Sequence, residues 1–371
     1  MNLQILRENA QVIFQKGFFM PIHKSKRIFC VEDTKEFMPK LLKMEHRRYV
    51  KGFIRLGHDV QVFGYRNAFY YAGPILSARF ARKWCKTHRV DELLTKQIKL
   101  YEPDIVIVRF ANYLDTQTVK LMKQAAPNAF FVGMDTDPSP EFHDCRLQMG
   151  AELDLMITNY EGRWMDSYKQ AGARCAFIAF NCDPDVERRY DVGNNWQSDI
   201  LFTGAEKVVR KYPTEKIRYE LVSKMATMPN CALYGCCGRP KIGGMQYLYA
   251  ISGAKIGLSV NAVNDIRLYH SDRPTTYLSC GTFVLSKRVP DTDLLFRDGV
   301  HLKYFDTVDE FFELADWYLK HDDERKKIAD AGMQHAHAEF NCVKMAGYVL
   351  DLIEKGSYTA PWGHFAVSDK R

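Results

Sequence analysis

Short apolar runs alternate with longer amphipathic segments from about residue 27 onward. The run from Arg27 to Val31 precedes an amphipathic segment from Pro39 to Leu56, and a second short run covers Asp59 to Phe63. This order predicts a strand, a helix and a strand, the repeating unit of a parallel sheet. The uninterrupted apolar run from Ile105 to Val108 predicts a central strand that is buried on both faces. The sequence therefore predicts an α/β fold.

The same alternation returns in the second half of the chain, after a segment that breaks it. Residues 181–195 lack apolar periodicity and are rich in turn-forming residues, so we predict the interdomain linker there. We predict one Rossmann-like domain over 1–190 and a second over 191–342. A C-terminal helix and tail follow over 343–371, and this segment could pack against the first domain. Further strands are predicted at 129–133, 153–158, 199–203, 232–235, 256–260 and 283–286, and further helices at 117–124, 214–225, 247–252, 274–279, 308–320, 322–339 and 343–353.

Composition places the chain among folded proteins that do not cross a membrane. Hydrophobic residues make up 46% of the 371 residues and charged residues 26%. No apolar run approaches the roughly 20 residues of a membrane-spanning helix, and the first 22 residues lack the apolar core of a secretory signal. We therefore expect a cytoplasmic protein. The 10 cysteines include no C-x-x-C pair, which favours free thiols over a metal site.

The formal net charge of +7 is concentrated in a few clusters. They lie at Lys24 to Arg27, at His46 to Arg48 and from Arg79 to Arg89. Such clusters favour an anionic partner, such as a sugar diphosphate, a lipid phosphate, an acidic glycan or nucleic acid. A solvated basic face is the alternative, because no aromatic stacking platform accompanies the charges, and of the four partners nucleic acid is the one that we do not expect. The aromatic rings of Phe80 and Trp84 within the third cluster suggest a peripheral contact with the inner face of the membrane.

The strongest local pattern runs from Tyr269 to Gly281. Ser271 and Asp272 are good helix caps, and a proline follows in the first turn. The start of this short helix, from Ser271 to Thr275, would attract a diphosphate through its free N–H groups, and Arg273 adds a fixed positive charge. The alternative is an ordinary capped helix with a surface arginine.

Carboxylates follow two of the predicted strands of the first domain. Asp135 and Asp137 lie in a loop directly after an apolar strand, where they could face the cleft and supply a general base. The alternative for Asp137 is to cap the turn before Pro138. Glu32, with Asp33 beside it, follows the first strand and is the second choice. His143 and His270 are further candidates for acid–base or phosphate contacts.

The stretch from Asp199 to Phe340 resembles the C-terminal domain of the CgeB-like glycosyltransferases, which are related to the group-1 transferases of the GT-B type. Asp199 to Gly204 is similar to that family's opening strand and glycine loop, 247–260 to the helix and strand before the donor loop, and 271–281 to the donor-binding helix. The resemblance implies two Rossmann-like domains facing a cleft, with a nucleotide sugar, preferably a UDP sugar, in the second domain and a glycan or lipid-linked acceptor in the first. Neither a metal ion nor a cofactor is expected. The donor-binding residues that we predict are Gly204, Lys207, Arg210, Lys211, Gly235, Asn261, His270, Ser271, Asp272, Arg273, Thr275 and Thr276.

Thr276 departs from the family pattern. Family members commonly have a glutamate there, which in group-1 relatives holds the ribose hydroxyls of the donor. Threonine cannot accept two hydrogen bonds in the manner of a carboxylate. A non-catalytic nucleotide- or glycan-binding protein therefore remains as an alternative, and a nucleotide-sugar epimerase is another because it shares the two-domain architecture. An NAD-dependent enzyme is disfavoured, since no G-x-G-x-x-G follows the first strand.

Overall fold

The protein is built around two parallel β-sheets. The computed structural model describes residues 25–34, 47–71, 86–109, 114–138, 143–205 and 216–368. The first sheet has six strands in the order β2-β1-β3-β4-β5-β6 and the second has five in the order β11-β10-β9-β7-β8, and every pairing within both sheets is parallel. The strands of the first sheet are β1 (Arg27–Glu32), β2 (Asp59–Gly64), β3 (Ile105–Arg109), β4 (Phe130–Asp135), β5 (Leu155–Thr158) and β6 (Cys175–Phe177).

Helices connect these strands in the first half of the chain. The central strands β3 and β5 are buried on both faces, as continuous apolar runs require, so helices must cover the sheet on both sides. The helices are α1 (Arg47–Arg55), α2 (Tyr65–Tyr71), α3 (Glu92–Tyr101), α4 (Thr116–Ala125), α5 (His143–Ala151) and α6 (Arg163–Gln170), and a π-helical turn at Lys86–Asp91 precedes α3.

The second sheet is wound in the same way. Its strands are β7 (Ser198–Thr203), β8 (Cys231–Tyr234), β9 (Ala254–Ser259), β10 (Phe283–Lys287) and β11 (Lys303–Phe305). Its helices are α7 (Lys216–Met225), α8 (Met245–Ser252), α9 (Asp272–Ser279), α10 (Val308–Lys320) and α11 (Asp322–Glu339). Short 3₁₀ turns occur at Asn194–Trp196 and Thr292–Leu294.

Helix α9 lies close against the second sheet because a glycine makes room for it. A Cβ atom on Gly257, in β9, would lie 2.4 Å from a ring carbon of Tyr277. The buried Tyr277 hydroxyl reaches the end of β7, where it lies 2.8 Å from the hydroxyl of Thr203 and accepts a hydrogen bond from the Thr203 N–H. These contacts hold the second half of α9 against β9 and the carboxyl end of β7.

The C-terminal segment returns to the first half of the molecule. Helix α12 (Cys342–Lys355) packs against α1 so closely that a Cβ on Gly52 would lie 2.2 Å from the Cys342 carbonyl oxygen. A hairpin of β12 (Ser357–Ala360) and β13 (Gly363–Ala366) follows, and Ser368 pairs with Cys175 of β6 through two backbone hydrogen bonds. The domain boundaries at 190 and 342 remain predictions.

The structure confirms the expected α/β fold with two Rossmann-like sheets. Helices α5 and α6, strand β6 and the C-terminal hairpin were not predicted, because α5 lacks clear apolar periodicity and β6 has three residues only. The first part of the helix predicted from Pro39 lies outside the described residues. Among the helices of the described part of the chain, none has the length and apolar character to cross a membrane.

Candidate functional site

A cavity of about 530 Å³ lies between the carboxyl ends of the two sheets. This is the edge where parallel sheets place ligands. The lining side chains and loop residues follow β3, β4, β5 and β6 on one side and β7, β8 and β9 on the other. The residues on the side of the first sheet are Arg48, Tyr49, Arg109, Thr136, Asp137, Asn159, Phe180, Asn181 and Glu187. Those on the side of the second sheet are Thr203, Gly204, Ala205, Arg218, Tyr234, Gly235, Lys241, Ile242, Gly243, Gly244, Tyr247, Leu248, Ala262, Tyr269, Ser271, Asp272 and Arg273.

Two buried arginines dominate the wall formed by the second sheet. Arg218 and Arg273 are 4% and 8% exposed, and their guanidinium carbons lie 5.3 and 5.4 Å from the ring centre of Phe202. Arg273 donates to the Val260 carbonyl oxygen at 3.2 Å. Within the described part of the chain, the Nε atoms of both arginines lack a hydrogen-bond partner, and neither forms an ion pair with a carboxylate. Among the residues that the structure describes, no carboxylate pairs directly with either of the two positive charges of this wall.

The pKa of Arg218 shows that this arrangement disfavours the charged form of its guanidinium group. Burial, together with the charge of Arg273, lowers the pKa of Arg218 to about 9. The guanidinium is still protonated at neutral pH, but its charged form is disfavoured compared with an arginine in water. An anion placed against both arginines would remove this penalty.

Glycines bring the backbone close to the arginine pair. A Cβ on Gly204, which follows β7, would lie 2.7 Å from a terminal nitrogen of Arg218. Gly235 follows β8 with a φ of +82°, and a Cβ there would lie 2.6 Å from the Gly204 carbonyl oxygen. Only glycine fits both positions without displacing a neighbour. The ends of β7 and β8 can thus present backbone without side chains beside Arg218.

The loop before α9 is held by one asparagine. The Ser271 N–H donates to the Asn261 side-chain oxygen at 2.9 Å, and the Asn261 amide donates to the Tyr269 carbonyl oxygen at 3.2 Å. Ser271 is the N-cap residue of α9, but its hydroxyl makes no capping bond and, in the described structure, is buried without a partner. The Ser271 hydroxyl is thus a buried donor without a described partner beside the cavity, while Asn261 holds the backbone of the loop.

His270, Thr275 and Thr276 do not face the large cavity. The His270 Nδ1 atom lies 2.8 Å from the Ser271 carbonyl oxygen, and burial lowers the pKa of His270 to about 4, so its ring is neutral at pH 7. Together with Asn261 it lines a separate cavity of about 10 Å³. Thr275 and Thr276 are fully buried, and the Thr276 hydroxyl accepts a hydrogen bond from Arg48 at 3.0 Å.

The opposite wall also contains two arginines, but each has a carboxylate. Arg48 forms a buried ion pair with Glu187 and donates to the Asn181 carbonyl oxygen at 2.7 Å. Arg109, the last residue of β3, lies 3.6 Å from the carboxylate of the buried Glu32 at the end of β1. Glu32 thus faces Arg109 and does not line the cavity, and its assignment as a second-choice base stays a prediction.

Asp135 and Asp137 lie in different environments. Asp135 is buried, pairs with Arg146 at 2.9 Å and accepts hydrogen bonds from the hydroxyls of Tyr160 and Tyr168 at 2.9 and 2.8 Å. These donors occupy its carboxylate, and it does not line the cavity, so the geometry disfavours Asp135 as a base. Asp137 is exposed and lines the cavity.

Of the residues predicted to bind a donor, the structure places Gly204, Gly235, Ser271, Asp272 and Arg273 on one wall. Lys207, Arg210 and Lys211, as well as the side chain of His143, lie outside the described residues. Sequence reasoning missed Arg218, although a signal was present. Arg218 occupies the same face of α7 as the buried Leu221, Val222 and Met225, where an arginine is unusual.

Comparison with known proteins agrees with this architecture. Residues 205–351 match the family model described as glycosyl transferase-like. HepE of Anabaena, in complex with UDP-glucose, aligns over 89% of this chain and 100% of its own with a TM-score of 0.57 and 10% identity. Sucrose-phosphate synthase of Thermosynechococcus elongatus aligns over 89% and 98% with a TM-score of 0.59 and 10% identity. The chain has the GT-B fold.

A third solved structure, a glycosyltransferase of Rickettsia africae, aligns over 90% of this chain and 99% of its own, with a TM-score of 0.55 and 10% identity. At this level of identity the GT-B structures establish the fold alone. The family match falls on the half of the chain that contributes Arg218, Arg273 and Ser271 to the cavity. Among curated proteins, no match to the sequence was found.

Proposed function

We propose that this protein is a glycosyltransferase that binds a nucleotide-diphosphate sugar through the paired guanidinium groups of Arg218 and Arg273. The observation that carries the proposal is that these two cations are buried, stacked on one ring and without carboxylates among the described residues. A diphosphate supplies two adjacent negative charges, and arginine binds phosphate oxygens in pairs. The Ser271 hydroxyl and the amino end of α9 add donors beside them.

The same groups suit the chemistry of sugar transfer. When the sugar leaves, negative charge develops on the nucleoside diphosphate, and fixed donors in a closed site stabilise that charge. A UDP sugar is the donor that we favour, with a glycan or lipid-linked saccharide as the acceptor and no requirement for a metal ion. We place the protein among the CgeB-like transferases on the basis of the sequence resemblance described above, and the cytoplasm stays its predicted location.

On the acceptor side we propose Asp137 as the general base. Of Glu32, Asp135 and Asp137, the carboxylates predicted as bases, it is the one that lines the cavity, on the wall that faces the arginine pair. A base there would take the proton from the attacking hydroxyl as the bond to the sugar forms and the bond to the diphosphate breaks. Asp135 contributes indirectly, since it fixes the tyrosines and Arg146 beneath this loop.

Thermal unfolding in the presence of UDP, GDP and ADP tests donor binding. A ligand that binds the native state raises the melting temperature, by an amount equivalent to about 2.7 kcal/mol at 100 times its Kd. We expect one of the three to raise it and Arg273→Ala to abolish that shift. Arg288→Ala is the control, because Arg288 pairs with Asp298 and Asp306 outside the cavity. A full shift in Arg273→Ala would contradict the proposed phosphate site.

Transfer kinetics test the base. With the nucleotide sugar that binds best and a panel of saccharide acceptors, Asp137→Asn is expected to lower kcat by about 10²–10⁴-fold while nucleotide binding persists. Asp144→Asn removes an exposed carboxylate of α5 outside the cavity and is expected to leave kcat unchanged. Nucleotide binding without turnover of any donor, with or without Mn²⁺, would instead favour a non-catalytic binding protein.

A further inference from the structure

The two sheets of the molecule are connected by more than the linker between β6 and β7. Segment 160–164, after β5, contacts segment 263–269, after β9. The core of this contact is apolar. Tyr160, Ile266 and Tyr269 are 1%, 1% and 5% exposed, and Trp164 and Val263 pack around them. Tyr160 comes from the first half of the chain and Tyr269 from the second, and their rings meet edge to face at 6.2 Å.

Polar contacts surround this apolar core. The Glu161 N–H donates to the Arg267 carbonyl oxygen at 3.0 Å, and the side chains of the same two residues form an ion pair. Arg163 and Asp265 form a second ion pair at 2.9 Å, with both side chains largely exposed. Exposed pairs of this kind add little stability but set which groups face each other.

Each side of the contact is attached to functional groups. The Tyr160 hydroxyl donates to the buried Asp135, whose loop carries Asp137. On the other side, the Tyr269 carbonyl oxygen accepts from Asn261, and Asn261 also holds the Ser271 N–H. Burial and the charge of Asp137 raise the pKa of Tyr269, whereas Arg273 and Arg218 lower it, which places this ring among the charged groups of both walls.

We propose that the contact between segments 160–164 and 263–269 is the closing contact of the cleft, and that Ile266 and Tyr160 are positioning residues for the Ser271 loop. Ile266 is buried in one cluster with Tyr160 and Tyr269, so separation of the two segments would expose apolar surface of all three side chains. That exposure opposes opening by the hydrophobic effect. Closure then brings the Ser271 loop and the Asp137 loop to the same cavity. The effect on ligand binding rests on the proposed function, whereas the closure itself does not.

Small-angle scattering of the full chain without ligand tests the closure. We expect Ile266→Ser to increase the radius of gyration with a small change in melting temperature. The matched control is Ile328→Ser, since Ile328 is buried in a core cluster made of second-domain residues alone. It should lower the melting temperature and leave the radius of gyration unchanged. An unchanged radius of gyration in folded Ile266→Ser would overturn the proposal.

Reversal of the charges of the exposed ion pair provides a second test, which leaves the buried apolar core of the contact unchanged. Arg163→Asp and Asp265→Arg each place like charges together and should raise the Kd of the nucleoside diphosphate that binds wild type, by about 5-fold. The double exchange should restore it, because the pair is re-formed with reversed polarity. Additive losses in the double variant would contradict a closing contact. If no nucleoside diphosphate binds wild type, the proposed function fails, while the scattering comparison still decides whether the contact closes the cleft.

Discussion

The two walls of the cavity use the same side chain in opposite ways. On the wall of the first sheet, Arg48 and Arg109 each face a buried carboxylate of the protein, Glu187 and Glu32 respectively. On the wall of the second sheet, Arg218 and Arg273 share the ring of Phe202 and have no carboxylate partner among the described residues. Both pairs line the same cavity.

The difference separates arginines that are paired within the protein from arginines that we propose to bind a ligand. A buried charge paired within the protein is costly to break, because removal of one partner leaves the other charged and desolvated. A buried charge without a partner lowers the stability of the protein until an anion arrives. The lowered pKa of Arg218 expresses this penalty. The wall of the first sheet is thus a structural element, and the wall of the second sheet is the one that we propose as an anion site.

Among the variants that this comparison suggests, Arg48→Met is expected to lower the free energy of unfolding most. Arg48→Met leaves Glu187 buried without its cation, so we expect the free energy of unfolding to fall by about 3–5 kcal/mol. It also removes the hydrogen bonds to Asn181 and Thr276, which connect α1 with the linker and with α9. Urea unfolding at pH 7 measures the change.

The double variant Arg48→Met, Glu187→Leu is the control for this prediction. It removes both charges and should recover most of the loss, because neither partner remains unpaired. The backbone N–H of Asp183, which donates to Glu187 at 2.7 Å, limits the recovery. If Arg48→Met alone were as stable as wild type, the first wall would not be a structural element.

The two sheets and helix α9 could be predicted because the sequence patterns that identify them are local. Apolar runs identify the strands, and Ser271, Asp272 and the following proline identify the start of α9 within four residues. The partners of Arg48 were not predictable, since Glu187 is 139 positions away. The position of Asp135 at a strand end was predicted correctly, but the direction of its carboxylate depends on Arg146 and two tyrosines from separate elements.

Thr276 illustrates the same limit. The family pattern places a donor-binding group there, and the residue does lie on the predicted helix. Its hydroxyl is nevertheless buried and bonded to Arg48, which comes from a helix 228 positions earlier. A long-range contact thus decides which groups of a helix face the cavity, and residue type alone does not reveal it.

Of the variants considered, Arg218→Met is expected to change stability least. It also tests the wall of the second sheet most directly. Methionine keeps much of the contact with Phe202 and removes a buried charge that has no carboxylate, so the unfolding free energy should stay within about 1 kcal/mol of wild type or rise. Affinity for the nucleoside diphosphate should fall by about 10–100-fold, equivalent to the roughly 1.5–3 kcal/mol of a charged hydrogen bond. Urea unfolding and calorimetric titration measure the two quantities on the same sample. A large loss of stability with unchanged affinity would reverse the comparison, because Arg218 would then be a structural residue of the kind found on the first wall.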